Sequence, residues 1–204
     1  MASINGVMLL PFDATSYRRH VAHHTSLAKA NTGTKIADPR QELTGMVEDC
    51  VRQEMQLQYS QTDFRVLRWE QLDPCNRYVV KFRELDGVFE TCNGTTMLLE
   101  VKASASKSSL RTGLEQLHAS VRTATRAKAR TIGVLVIADL GEWFDTFGEA
   151  AAEPLADYFL GMDLDLLDWP PRVPLDKTSG ICVSLIPGPT LHGWLPPEPR
   201  DDEI

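Results

Sequence analysis

Two apolar runs, RYVVKFRELDGVFET (77–91) and TTMLLEVKAS (95–104), flank Cys92, Asn93 and Gly94. No other part of the chain constrains the fold as strongly. Asn-Gly between such runs predicts a β-hairpin, because both residues accept the positive φ that a tight, correctly twisted turn requires. Residues two apart in a strand share a face. Glu100 and Lys102 therefore lie with Leu98, while Met97, Leu99 and Val101 take the other side. A hairpin closed at Asn93-Gly94 places Asp86, fourteen residues before Glu100, nearly opposite it, where the strand bends at Gly87. A strand built for burial thus carries an acid and a lysine on one side and meets a second acid across the ladder. The two carboxylates come close enough to hold one cation.

The surrounding periodicity gives the order helix, three strands, helix, strand. Leu43, Met46, Val47, Cys50 and Val51 recur at helical spacing and predict an amphipathic helix running to about Tyr59. FRVLRWEQL (64–72) is the first strand, parted from the hairpin by the turn residues Asp73, Pro74, Cys75 and Asn76. Residues 107–128 return to helical spacing with Leu110, Leu114, Leu117, Val121 and Ala124 on one stripe, and TIGVLVIADL (131–140) reads as a strand covered on both faces. Residues 13–30 are expected to be helical. Nine of the 12 prolines follow Gly141, with a helix expected near 149–160 and a strand in GICVSLIP (180–187). The expected division is an N-terminal helical, basic segment (1–39), a core (40–139), and a proline-rich appendage with an acidic tail packed on that core (140–204).

With 204 residues, 43% hydrophobic and 24% charged, the chain suits one soluble domain with a real core. It shows no basic leader and no apolar stretch able to span a bilayer, so no membrane association is expected. Cys50, Cys75, Cys92 and Cys182 form no CxxC pair. Neither a zinc knuckle nor an iron-sulfur cluster is suggested, and reduced thiols in the cytoplasm are expected. The net charge of -7 argues against a protein that coats nucleic acid with its whole surface. Its distribution is uneven, however: Lys107–Arg130 holds six basic residues against one acid, Glu115. On a helical wheel Arg111, His118, Arg122 and Arg126 fall within about 80° of one another, a ridge able to grip phosphates. His20 and His24 have metal-ligand spacing but no accompanying acid and read as surface residues. The tryptophans read as packing, and no glycine-rich phosphate loop appears.

Two hard oxygen ligands with water completing the shell suit Mg²⁺ or Mn²⁺. A lysine beside such an ion adds positive charge where phosphoryl transfer accumulates negative charge. Asp86, Glu100 and Lys102, set in ELDGVF and LLEVKAS within a core of this order, resemble the PD-(D/E)xK nuclease superfamily, the restriction-endonuclease-like fold. Leu85 stands where many members have proline. The pattern is nearest to Holliday-junction-resolvase-like and recombination-exonuclease-like members. These carry a glutamate on the first helix, matched by Gly45 and Glu48 in GMVE with Val47 in place of an aromatic, and some carry a glutamine after the ExK strand, matched by Gln116 in GLEQL.

The resemblance implies an α/β protein with an αβββαβ core and a Mg²⁺- or Mn²⁺-dependent nuclease, acting on DNA rather than RNA. Asp86, Glu100 and the Val101 carbonyl would ligate the metal, and Glu48 would complete the site or hold a second ion. Lys102 would help activate water, and Gln116 would orient the backbone or a metal-bound water. Members of the family often pair to cut two strands, which makes a homodimer one option that no residue here supports. Two other readings compete: a catalytically silent nucleic-acid-binding module of the same fold, and a protein-interaction component of a defence or toxin-immunity system working through the acidic, proline-rich C-terminal region.

Overall fold

The computed structural model describes residues 4–32, 39–103, 107–140 and 164–195. Strand β1 (Ile4–Leu10) leads into helix α1 (Thr15–Thr32). Helix α2 (Pro39–Gln56) follows, then the strands β2 (Ser60–Gln61), β3 (Val66–Leu72), β4 (Tyr78–Glu84), β5 (Gly87–Glu90) and β6 (Thr96–Ala103). Helix α3 (Lys107–Ala124), β7 (Thr131–Ala138), β8 (Asp165–Leu167), β9 (Ile181–Leu185) and the short helix α4 (Gly188–Trp194) complete the described elements.

The strands form two sheets. A mixed sheet has the order β2-β5-β6-β7-β9-β8, and a smaller antiparallel sheet has the order β1-β3-β4. The hairpin at Asn93-Gly94 joins β5 to β6 in antiparallel register, with Gly94 at φ +76. Strands β6, β7, β9 and β8 run parallel to one another. Every residue of β7 is buried, as its continuous apolar sequence anticipates.

The two faces of β6 are covered by different helices. Met97, Leu99 and Val101 pack with Val47, Val51 and Met55 of α2. Leu98 packs with Leu110, Leu114 and Leu117 of α3. Burying these two apolar stripes on opposite faces fixes the central strands and leaves the C-terminal end of β6 as the place where the sheet's edge opens.

Three features depart from the sequence reading. The run 77–91 is not one strand: it leaves the small sheet after Glu84 and enters the main sheet at Gly87, so Leu85 and Asp86 form the crossing between sheets. Residues 4–10 form a strand that antiparallel pairing with β3 holds in place, a long-range contact with no local signal. In the C-terminal region, β9 pairs with β7 and β8 with β9, extending the main sheet, and Ile186, Leu191 and Leu195 join the core beneath α2. These residues are thus continuous with the core sheet rather than packed on it. The helix expected near 149–160 lies outside the described residues. None of the four cysteines is in a disulfide, and no described helix is long and apolar enough to cross a membrane.

Candidate active site

The register Gly87↔Leu99 sets Asp86 opposite Glu100, just beyond the start of β5. Its Oδ2 accepts a hydrogen bond from the Val101 N–H at 2.6 Å. A strand residue directs its N–H and C=O to the same side, so the Val101 carbonyl faces this same open edge. Glu100 is 7% exposed. Lys102, two residues along the same face, donates from Nζ to Glu100 Oε1 at 2.6 Å. Its aliphatic stem lies against α3 at Gly113, where a Cβ would come within 2.8 Å of Lys102 Cγ and 2.9 Å of Cε.

The electrostatics bind these groups into one cluster. The Asp86 carboxyl is pushed up to about 7, chiefly by burial and then by the neighbouring Glu100; the Val101 N–H opposes this, Glu48 adds to it, and Lys102 also opposes it. Burial likewise raises Glu48, against the pull of Arg52 and Lys102 and with further push from Glu84 and Asp49. Asp86 thus feels the charge of two further acids, Glu100 and Glu48, with Lys102 opposing them.

Glu48 reaches this cluster from α2. On that helix Val47, Val51 and Met55 are fully buried and Leu43 packs against them partly buried, whereas Met46, which the periodicity placed on the apolar stripe, is exposed. Recentring the wheel on Val47 and Val51 brings Glu48 to about 80° from the apolar centre. Glu54 remains closer in angle but sits more than a turn further along the helix.

Sequence reasoning missed Arg52. Its Nη1 donates to the Asp86 main-chain carbonyl at 3.1 Å and lies 3.9 Å from Glu48 Oε2, and its Nη2 pairs with Asp49. The arginine thereby braces the crossing between the two sheets. Its spacing four residues after Glu48 was the one available signal. Beyond it opens a cleft of about 520 Å³ lined in part by Phe12, Asp49, Gln61, Asp63 and Arg65. Tyr17 Oη on α1 donates to Glu84 Oε2 at the end of β4 at 2.9 Å, and burial together with that bond pushes the phenol up to about 12.

Gln116 is half-buried one turn beyond Gly113, and its main-chain carbonyl accepts from Arg83 Nη1 at 2.6 Å, tying α3 to β4. The basic ridge is only partly gathered. Arg111, His118 and Arg122 are exposed on α3, with Arg111 paired to Glu115 at 3.0 Å. Arg126 lies past the end of the helix at Ala124. On the helical wheel Arg111, His118 and Arg122 lie about 140–180° from Gly113, so the ridge is on the side of α3 turned away from Lys102.

Among the described residues no group of three or more His, Cys, Asp or Glu side chains is arranged to hold a metal ion. The donor set at the site is narrower: the carboxylates of Asp86 and Glu100 and the Val101 carbonyl. Mg²⁺ keeps several waters and binds through one or two carboxylates. Asp86, whose charge burial penalises, set opposite the buried Glu100 fits such an ion. In comparisons with known proteins, no family model, no curated protein and no solved structure matches this chain.

Proposed function

We propose that the chain is a Mg²⁺- or Mn²⁺-dependent nuclease with a restriction-endonuclease-like core, hydrolysing phosphodiester bonds in DNA. The observation that carries this reading is the juxtaposition of Asp86 with Glu100 across the β5–β6 ladder, with Lys102 ion-paired to Glu100 at the same opening. An ion-paired surface alone would not require Asp86 to be held above its usual range by burial and by a second acid.

A bound divalent ion would polarise the scissile phosphate and lower the pKa of a coordinated water. Asp86, Glu100 and the Val101 carbonyl would hold the ion, and the Val101 N–H fixes the Asp86 carboxylate in place. The Lys102 ammonium supplies positive charge next to the transferred phosphoryl group and orients the attacking water through its N–H donors. Glu48 completes the acid set from the α2 side. Gln116, one turn along α3 from the Lys102 contact, orients water or backbone at the margin. Arg111, His118 and Arg122, with Arg126 beyond the helix end, contribute phosphate contacts that position the strand without reading its bases.

The test is incubation of purified protein with supercoiled plasmid, single-stranded DNA and RNA, each with Mn²⁺ and with chelator. Metal-dependent cleavage of DNA is expected. Binding without cleavage would replace the nuclease with a silent nucleic-acid-binding module, and neither binding nor cleavage would move the search to protein partners.

A further inference from the structure

Gly113 occupies the interior of α3, where glycine is less favourable than alanine because it loses more backbone freedom on folding. It is buried, and what faces it is Lys102: a Cβ at this position would stand 2.8 Å from Cγ, 2.9 Å from Cε and 3.3 Å from Leu135 Cδ1. We infer that Gly113 is a positioning residue, whose missing side chain forms the slot in which the Lys102 stem lies so that Nζ is delivered to Glu100.

A lysine stem has four rotatable bonds and no shape of its own. Here one side is bounded by β7 through Leu135 and the other by the α3 backbone. With the stem seated, Nζ sits 2.6 Å from Glu100 Oε1. An added methyl overlaps the stem at two carbons at once, so the strain cannot be relieved by moving the ammonium alone. Leu135 is fully buried and has little room to yield. The remaining relief is a new rotamer of Lys102, which carries Nζ away from Glu100. The helix that bears the phosphate ridge thereby also sets the position of the lysine.

The role assigned to Gly113 in turnover rests on the nuclease reading, whereas its control of Lys102 does not. The experiment compares the parent with Gly113→Ala, Lys102→Ala and the double variant. One arm measures acetylation of Lys102 by acetic anhydride using mass spectrometry, with exposed Lys81 as internal reference. The other measures single-turnover DNA cleavage at saturating Mn²⁺, alongside DNA affinity and thermal unfolding. Gly113→Ala is expected to fold, to raise Lys102 labelling several-fold, and to slow cleavage roughly 10- to 100-fold, the scale of an ångström-sized misplacement. DNA affinity should be unchanged, and in the Lys102→Ala background, where no stem fills the slot, Gly113→Ala should cost less stability than it does in the parent. Unchanged Lys102 labelling would overturn the inference, as would a loss of stability from Gly113→Ala that is as large in the Lys102→Ala background as in the parent. If the parent does not cut DNA, the nuclease reading fails while the labelling arm still decides the role of Gly113.

Discussion

Asp86→Asn should make the metal-free protein more stable at pH 8 while removing its activity. The parent holds the Asp86 carboxyl at about 7 against an ordinary value of 3.8, mainly through burial and then Glu100. The folded state therefore binds a proton that the unfolded chain has already released between pH 4 and pH 7. The associated stability is fully present below pH 4, declines as pH rises through 7, and is gone above it. At 1.36 kcal/mol per pH unit the full difference is about 4 kcal/mol at pH 8 and falls to about 0.5 kcal/mol at pH 4. Asp86 is partly open to solvent, so about 2–4 kcal/mol is the expected gain for an asparagine that is neutral throughout and still accepts the Val101 N–H. For a chain of this size that corresponds to a Tm increase of about 5–15 °C. Thermal unfolding followed by circular dichroism in chelator at pH 4, 6 and 8 measures it. Adding Mg²⁺ should stabilise the parent at pH 8 and leave Asp86→Asn unmoved, because only the parent retains the ion's carboxylate pair. A variant less stable than the parent at pH 8, or a difference that does not depend on pH, would refute the reasoning.

Other consequences concern separate parts of the site. Glu48→Gln should lower turnover by orders of magnitude with little change in folding, whereas Glu42→Gln and Glu54→Gln should cut nearly as well as the parent; a dead Glu54→Gln beside an active Glu48→Gln would reverse the assignment on α2. Replacing Arg122 and Arg126 with glutamine should weaken DNA binding and flatten its salt dependence by about two in slope, as measured by fluorescence anisotropy across salt concentrations. Gly87→Ala should destabilise by about 1–3 kcal/mol in urea unfolding, because its Cβ would stand 2.7 Å from Phe89 Cε2 and 3.1 Å from Leu99 Cδ2 in a filled core.

The parts of the fold that were legible in the sequence are those governed by local rules. Asn93-Gly94 announced its turn, and the register that followed from it set Asp86 against Glu100. The stripe of Leu110, Leu114, Leu117 and Ala124 marked the buried side of α3, and the unbroken apolar run of β7 marked a strand covered twice. What escaped is settled by distant partners. The run through Arg83 and Val88 looks continuous because both halves are strands; that they join different sheets depends on whether β3 or β6 stands beside them. Strand β1 exists because β3 offers it an edge. At the site, Glu48 was named through resemblance alone, and its angle on the wheel became intelligible only after Met55 was found buried and Met46 exposed. Arg52 and Gly113 escaped because their roles are contacts, one with a main-chain carbonyl and one with a lysine stem, to which helical periodicity is blind.

The most direct test of the central claim is single-turnover cleavage of plasmid DNA by the parent, Asp86→Ala and Lys102→Ala proteins, each first shown to be folded. With Mg²⁺ or Mn²⁺ the parent should cut, chelator should abolish that cutting, and both variants should lose it. Undiminished cutting by both variants would place the chemistry elsewhere and contradict the account.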